Sequence, residues 1–316
     1  MPPPVQHPLP CVPQARDFLN ELLQVAASDG TVHNKPTYAE GRWRMGFDTV
    51  KGNVRGQNED YVLGFEVHRR QVLILADGCG GTPFGQRASF LAVREAALSV
   101  IQEYGCAPAA DVPGETAVAW KALRHAAHAL SREGDKLNVS EVHDGLRTTL
   151  VVVIAGERQY GIAYAGDGGG LILRASGKSE NFLKPQKVNS IQNLLATSLG
   201  PTIVGEPVSL TVDRLPGDVL MAGTDGIFDR VDGTFVTAVL QTCINADGDL
   251  PEVVATVLRE LTEYKDVEGY VVDDNCTFGI LSDATPPRLP RGFWCISPSA
   301  ASAGAGTTPT GAQTVV

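Results

Sequence analysis

The sequence predicts an α+β protein in which largely antiparallel sheets are covered by helices. Strand-like segments occur in neighbouring pairs, and two long helical segments interrupt them without a regular strand–helix alternation. The chain has 316 residues, of which 43% are hydrophobic, and this is enough for one large domain or two ordinary ones. No apolar run approaches the roughly 18 residues of a membrane-spanning helix, so no membrane partner is expected.

Hydrophobic periodicity predicts the elements of the N-terminal half. Residues 14–28 carry apolar side chains at helical spacing and are predicted to form one amphipathic helix. Alternation and a nearly continuous apolar run predict three strands, over residues 43–52, 60–67 and 71–77. A glycine-rich turn precedes the first long helix, which is predicted over Gln86–Glu103. The second long helix, rich in alanine and leucine, is predicted over Glu115–Arg132.

Strand signals dominate the C-terminal half of the chain. Apolar segments over 148–156 and 158–166 flank Gly156 and predict a hairpin. Further apolar segments predict four more strands, over residues 171–176, 208–215, 218–225 and 275–283. Helical periodicity predicts two shorter helices, over residues 235–242 and 251–264.

Composition divides the chain into three parts. Residues 1–40 are predicted to be an N-terminal extension that begins with a proline-rich stretch and contains the single amphipathic helix. Residues 41–283 contain all the strand signals and are predicted to form the folded domain. Residues 284–316 contain no Asp, Glu or Lys and are rich in small residues and proline, so a low-complexity, disordered tail is expected there.

Charge and cysteine usage exclude several classes of protein. The formal net charge is −10, which argues against non-specific binding to nucleic acid or to anionic membranes, since both need basic patches. The six cysteines are scattered without a CxxC pair, so neither a disulfide framework nor a zinc site is expected. The N-terminal sequence lacks the basic and apolar regions of a secretory signal. These features predict a cytoplasmic protein with free thiols.

Four aspartates occupy the ends of predicted strands. Asp60 begins one strand, Asp77 and Asp225 each end one, and Asp274 directly precedes the last. A carboxylate at such a position can simply cap a turn, and for any single Asp-Gly pair that is the simpler interpretation. Four carboxylates at strand ends instead indicate that they share one edge of a sheet structure. A buried charge at such an edge must be paired with an opposite charge or bound to a metal. Oxygen ligands alone favour Mg²⁺ or Mn²⁺.

An arginine precedes the first of these acids by five residues. The guanidinium of Arg55 is planar, always charged and able to bind an anion through two parallel hydrogen bonds. These are the properties that phosphate recognition beside an oxygen-ligated metal site requires. A single arginine in a loop is otherwise more often a solvated surface residue.

Seven short motifs occur in a fixed order over residues 43–282. They are Arg55-Gly-Gln-Asn-Glu-Asp60, Asp77-Gly-Cys-Gly-Gly81 with Gly85 and Ala88 behind it, Asp144-Gly-Leu-Arg-Thr-Thr-Leu150, Tyr164-Ala-Gly-Asp167, Pro216-Gly-Asp218, Thr224-Asp-Gly-Ile-Phe-Asp229 and Asp274-Asn275-Cys-Thr277. Each motif is short, but the ordered set resembles the metal-dependent serine/threonine protein phosphatases of the PP2C type, in their bacterial form.

This resemblance implies a four-layer α/β/β/α sandwich of two antiparallel sheets flanked by helices. It also implies a site for two Mn²⁺ or Mg²⁺ ions, with a weaker third, at one end of the sandwich. Carried over to this sequence, Asp77 bridges two metals, the Gly78 carbonyl binds one, and Asp225 and Asp274 complete the other. Glu59 and Asp60 hold metal-bound water or bind metal directly, Arg55 grips the substrate phosphate, and Asp144 matches the acid of the third site.

The implied reaction is hydrolysis of phosphoserine and phosphothreonine by a metal-activated water, in which Arg55, Asp60 and Asp77 are the catalytic residues. The implied partners are phosphorylated proteins, namely serine/threonine kinases or their substrates, and not nucleic acid or membranes. A metal-dependent nuclease is the other catalytic alternative, and the acidic charge argues against it.

The sequence also departs from the family pattern. Cys79 stands where many eukaryotic members carry histidine, Gly168-Gly169 replaces a Ser-Arg pair, and Arg147 replaces a small residue. The stretch over 170–199, which normally carries a flap beside the site, is short. These departures keep open a second interpretation, a catalytically weak PP2C-fold protein with a regulatory or binding role.

Overall fold

The computed structural model of the protein describes residues 43–80, 83–105, 113–139, 145–189, 194–229, 250–263, 265–266, 269–270 and 273–283. Several predictions lie outside these residues: the helices over 14–28 and 235–242, the tail over 284–316, and the placement of Asp144. The boundaries predicted for the N-terminal extension and the tail therefore stay predictions. None of the described helices is long and apolar enough to cross a membrane.

Twelve strands and four helices are present in the described residues. In chain order they are β1 (Trp43–Val50), β2 (Asp60–Val67), β3 (Arg70–Asp77), α1 (Gly85–Gly105), α2 (Glu115–Leu137), β4 (Leu150–Ala155), β5 (Gln159–Ala165), β6 (Gly169–Leu173), β7 (Ser179–Asn181), β8 (Val208–Asp213), β9 (Val219–Gly223), α3 (Asp225–Phe228), α4 (Leu250–Glu263), β10 (Lys265–Asp266), β11 (Gly269–Tyr270) and β12 (Cys276–Asp283).

The strands form two five-stranded antiparallel sheets and one small pair. Sheet I has the order β1-β12-β9-β6-β7, and sheet II has the order β2-β3-β4-β5-β8. Among the residues that the structure describes, strands β10 and β11 pair only with each other. Every pairing is antiparallel, as the α+β prediction requires, because hairpins and returning connections link the strands rather than helical crossovers.

Three apolar clusters separate four layers. The first lies between sheet II and helices α1 and α2, the second between the two sheets, and the third between sheet I and α4. Strand β3 shows how one sequence supplies two of them: Val72, Ile74 and Ala76 face the helices, whereas Leu73 and Leu75 face sheet I. The predicted four-layer α/β/β/α sandwich is therefore confirmed.

Most predicted elements are confirmed, with shifted ends. Helix α2 runs five residues past the predicted Arg132 and ends where Asn138 adopts a left-handed φ of 54° and its N–H bonds to the Asp135 carbonyl. The hairpin about Gly156 is present, and the Gly156 N–H donates to the Gln159 carbonyl over 2.9 Å.

Four elements differ from the prediction, namely β7, β10, β11 and α3. Strand β7 was not predicted because its three residues are polar and largely exposed, and the two-residue β10–β11 pair gives no periodic signal. The prediction that Asp225 ends a strand is wrong: β9 ends at Gly223 and Asp225 is the first residue of α3. The run of apolar residues before it does not reveal that the chain turns into a helix at Thr224.

Candidate metal and phosphate site

Asp60 and Asp77 lie directly opposite each other on neighbouring strands. They are register partners at one end of the β2–β3 pair. A two-residue turn at the other end, in which His68 and Arg69 have φ of 45° and 62°, sets that register. The hairpin geometry therefore brings both carboxylates to the same edge of sheet II, as the strand-end positions of these residues predicted.

The main chain of Asp77 is held firmly. Its N–H donates to Thr149 Oγ1 over 2.9 Å, and its carbonyl accepts hydrogen bonds of 2.8 Å from Thr148 Oγ1 and from the Thr149 N–H. The next residue, Gly78, continues this bonding, because its N–H donates to the Glu59 carbonyl over 3.0 Å. A Cβ at Gly78 would lie 2.3 Å from the Gly85 carbonyl oxygen, so only glycine fits between these segments.

Asp225 and Asp274 lie next to the ends of two paired strands of sheet I. Asp225 begins α3 directly after β9, and Asp274 lies two residues before β12, which is hydrogen-bonded to β9. Gly226 allows these two segments to meet, because a Cβ there would lie 1.9 Å from the Asn275 carbonyl oxygen. Thr224 joins this group to Asp60 across the sandwich, since Thr224 Oγ1 donates to Asp60 Oδ2 over 2.8 Å.

Burial makes negative charge unfavourable on these acids. It raises the pKa of Asp60 to about 6 and, together with the charges of Asp167 and Asp60, raises that of Asp225 to about 7. The pKa of Asp77 is raised well above its ordinary value, first by burial and then by the charges of Asp60 and Asp225. Burial also raises the pKa of Glu59. A bound cation would relieve this repulsion and favour the ionised carboxylates.

Asn275 organises the segment that carries Glu59, and sequence reasoning assigned it no role. Its Oδ1 accepts a hydrogen bond of 2.9 Å from the Glu59 N–H. Its Nδ2 donates to the Lys51 carbonyl over 2.6 Å and to the Gln57 carbonyl over 3.1 Å. One amide side chain thus holds the start of β2 against the start of β12. Its only sequence signal is its position beside Asp274 in the last motif.

Arg55 reaches the same edge of the sandwich. Its Nη2 donates to Asp274 Oδ2 over 2.5 Å, and its side chain is still 40% exposed. Gly80 leaves room for the guanidinium, because a Cβ there would lie 2.8 Å from Arg55 Nη1. The structure therefore brings Arg55 together with Glu59, Asp60, Asp77, Gly78, Asp225 and Asp274.

The donors at this edge suit a hard divalent cation, although they do not form a finished cage. Asp60 Oδ1 is buried and accepts no hydrogen bond in the described part of the chain. Carboxylate oxygens and the Gly78 carbonyl are the ligand types that Mg²⁺ and Mn²⁺ prefer. Within the described ranges, however, no three Asp, Glu, His or Cys side chains are grouped closely enough to hold a metal ion as they stand. The residue types at this edge therefore fit Mg²⁺ or Mn²⁺. One of the candidate ligand atoms, Asp274 Oδ2, accepts a hydrogen bond from Arg55.

The departures from the family pattern have local explanations. Gly169 lies under an aromatic ring, because a Cβ there would come within 2.0 Å of Phe228 Cγ. Arg147 is buried and donates to Ser198 Oγ over 3.0 Å and to the Thr202 carbonyl over 3.2 Å. Burial raises the pKa of the Cys79 thiol to about 11, so this thiol is a poor nucleophile.

The chain also matches known proteins. Residues 54–261 match the family model described as Protein phosphatase 2C. The serine/threonine phosphatase stp of Listeria monocytogenes is 27% identical over 219 residues, which cover 62% of this chain and 82% of that protein.

Among solved structures, the Mycobacterium tuberculosis serine/threonine phosphatase PstP/Ppp matches with a TM-score of 0.61 at 23% identity, over 77% of this chain and 99% of that one. The catalytic domain of a protein phosphatase PstP, in complex with two manganese ions, matches with the same TM-score, identity and coverage. At these identities the structural likeness establishes a shared fold.

Proposed function

Because the chain belongs to the protein phosphatase 2C family, and is therefore a protein serine/threonine phosphatase, we propose that it hydrolyses phosphoserine and phosphothreonine monoesters with the help of two bound Mn²⁺ or Mg²⁺ ions. The observation that carries this proposal is the meeting of Asp60, Asp77, Asp225 and Asp274 at one edge of the sandwich, with Arg55 beside them.

The residues of the site divide into proposed metal ligands and one residue, Arg55, that is proposed to bind the substrate phosphate. Asp77 and the Gly78 carbonyl would be ligands of the bound ions, and hydrogen bonds to Thr148 and Thr149 hold the main chain of Asp77 in place. Asp225 and Asp274 would complete one ion's ligands, and Glu59 and Asp60 would bind directly or through water. Bound ions of this kind lower the pKa of a water molecule and neutralise phosphoryl oxygens. A third ion at Asp144 stays a prediction.

Arg55 is placed to bind the substrate phosphate next to this cluster. Its exposed guanidinium carries several N–H donors, and only Nη2 bonds to Asp274. If Asp274 held a metal, its carboxylate would no longer be available to Arg55, and the guanidinium could form two parallel hydrogen bonds to a phosphate. We therefore assign Arg55 to substrate binding rather than to proton transfer.

Phosphorylated proteins are the proposed substrates, and among them serine/threonine kinases or the targets of these kinases. One relative is named a serine/threonine phosphatase, and one structural match binds two manganese ions. A cytoplasmic location stays a prediction from the scattered cysteines. Residues 41–283 are proposed as the catalytic domain.

The direct test is hydrolysis of p-nitrophenyl phosphate and of a phosphothreonine peptide by the purified protein. We expect turnover with Mn²⁺ and none after chelation, and we expect Asp77→Ala to remove most of it. A wild-type protein that shows no Mn²⁺-dependent turnover next to an active phosphatase control would refute the proposal.

A catalytically weak regulatory protein of the same fold is the second candidate. It is favoured by the departures at Gly168, Gly169 and Arg147 and by the ion pair that Arg55 forms with Asp274. Calorimetric titration separates the two candidates. Tight binding of two Mn²⁺ ions without hydrolysis would support the regulatory role.

A further inference from the structure

Lys187 lies where three parts of the chain meet beside the candidate site. Its side chain is only 14% exposed. Its Nζ lies 3.4 Å from Asp167 Oδ2 and forms a second, closer ion pair with Asp229 Oδ2. Asp167 belongs to the turn between β5 and β6, and Asp229 directly follows α3, the helix that begins with Asp225. One ammonium group therefore contacts both the turn and the helix that carries a proposed metal ligand.

The main chain around Lys187 is fixed by its neighbour Gln186. The Gly166 N–H donates to Gln186 Oε1 over 2.8 Å, and the Gln186 N–H donates to the Gly166 carbonyl over 3.1 Å. The Gln186 carbonyl in turn accepts a hydrogen bond of 2.7 Å from the Ala196 N–H. The ammonium is thus delivered to the two carboxylates by an anchored backbone, which reduces the entropy that a long side chain loses on pairing.

The position of the ammonium matters because Asp167 is buried. All ion pairs of Asp167 and Asp229 in the described part of the chain are made with Lys187. Burial raises the pKa of Asp167, and the charge of Lys187 opposes that rise. The positive charge beside Asp167 is therefore supplied by Lys187, from the segment that follows β7.

We propose that the Lys187 ammonium is an internal counter-ion that takes the place of a divalent cation between Asp167 and Asp229 and so positions α3 against the β5–β6 turn. Lys187 is a positioning residue, since it acts on the site through α3. Without the ammonium, the carboxylates of Asp167 and Asp229 would lose their shared cation, and carboxylate oxygens are ligands that Mg²⁺ and Mn²⁺ prefer. This role requires no catalytic activity, so its test is independent of the proposed phosphatase reaction.

The test compares Lys187→Met with the wild-type protein by calorimetric Mn²⁺ titration and by thermal unfolding, with and without Mn²⁺. Lys187→Met keeps the side-chain length and removes the charge. We expect its metal-free melting temperature to fall by about 2–4 °C and to be restored by Mn²⁺. We also expect it to bind one more Mn²⁺ per chain than the wild-type protein does. Lys184→Met is the matched control, because Lys184 is exposed in the same segment.

Two further variants make the outcome decisive. Lys187→Arg should behave like the wild-type protein, because it keeps the charge. Lys187→Met combined with Asp229→Asn should bind no additional Mn²⁺, since one carboxylate is removed together with the ammonium. If Lys187→Met does not fold, this double variant should fold, and its failure to do so would overturn the proposal. A melting temperature that falls without recovery in Mn²⁺, or a titration identical to that of Lys184→Met, would also overturn it.

Discussion

Asp77 combines a well-satisfied main chain with a side chain whose charge is disfavoured. Threonine hydroxyl groups and a backbone amide satisfy its N–H and carbonyl, whereas its carboxylate is half-buried and close to the charges of Asp60 and Asp225. Such an arrangement costs stability in the metal-free protein and is typical of groups that are kept for binding or catalysis. The effects of the Asp77 charge on stability and on metal binding can be separated by a substitution that removes this charge and keeps the shape of the side chain.

Asp77→Asn is expected to separate function from stability. Losing a proposed metal ligand should lower Mn²⁺-dependent turnover by roughly 100-fold or more, because even outer-shell partners of metal ligands matter by 10–100-fold. The metal-free melting temperature should stay equal or rise, because one buried charge is gone. Activity assays and thermal unfolding measure the two effects. Asp213→Asn, at the exposed end of β8, is the control, and a fully active Asp77→Asn would contradict the assignment.

Arg55→Lys tests whether the guanidinium binds the phosphate through two parallel hydrogen bonds or contributes only its positive charge. Lysine keeps the positive charge but cannot form two parallel hydrogen bonds to a phosphate. We expect the KM for a phosphopeptide to rise by about tenfold, equivalent to roughly 1.4 kcal/mol, while the affinity for Mn²⁺ is kept. Steady-state kinetics and metal titration measure this, with Arg69→Lys on the exposed β2–β3 turn as the control. Unchanged KM would mean that Arg55 does not contact the phosphate.

At the scale of elements, the contact between α3 and β6 depends on a missing side chain. Phe228, at the end of α3, covers Gly169 at the start of β6 so closely that a Cβ would overlap the ring. Close packing of this kind leaves no volume for an extra methyl group. The sequence shows two neighbouring glycines at this point, but it does not show which aromatic ring requires them.

Gly169→Ala is expected to destabilise the protein by about 1–3 kcal/mol through overpacking and to lower activity by displacing α3. The double variant Gly169→Ala with Phe228→Leu should recover part of the lost stability, because a smaller side chain restores space. Chemical denaturation of the wild-type protein, both single variants and the double variant measures the coupling. Strictly additive effects would show that the ring and the methyl group do not compete for the same volume.

The elements themselves were predictable to the degree that they carry a regular pattern. Helices α1 and α2 and the central strands of both sheets have long apolar periods, so their existence and type followed from the sequence. Strand β7 and helix α3 are short, and their formation depends on tertiary neighbours. Asp225 was for this reason assigned to the wrong element, although its position next to a glycine was recognised correctly.

For the whole molecule, burial of the acidic cluster predicts a dependence of stability on pH and metal. The folded-state pKa values of about 6 for Asp60 and about 7 for Asp225 exceed the ordinary value of 3.8. Between these values the folded protein binds more protons than the unfolded chain. These two groups therefore make the metal-free protein lose stability as pH rises through this range.

Thermal unfolding between about pH 4 and pH 8 tests this dependence. The contribution of Asp60 is the difference in melting temperature between the wild-type protein and Asp60→Asn at each pH. We expect the melting temperature of the variant to fall less as pH rises. Mn²⁺ at about 100 times its dissociation constant should stabilise the wild-type protein by about 2.7 kcal/mol, most of all at high pH. Identical pH profiles of the two metal-free proteins would contradict the assigned burial of the Asp60 charge.

The sequence by itself determined the fold class, the family and the residue types of the site. Apolar periodicity specifies which segments are strands and helices, and the ordered acidic motifs restrict the chemistry to oxygen ligands and a phosphate-binding arginine. These features are local or depend only on order along the chain.

The tertiary structure alone decided which side chains meet. The hairpin register places Asp60 opposite Asp77, Asn275 fastens β2 to β12, and Lys187 pairs with Asp167 and Asp229. These partners are separated by up to 216 residues in the chain, and no periodic pattern encodes such distances. They are brought together only when two sheets pack face to face, because burying their apolar faces fixes the edges at which the polar groups gather.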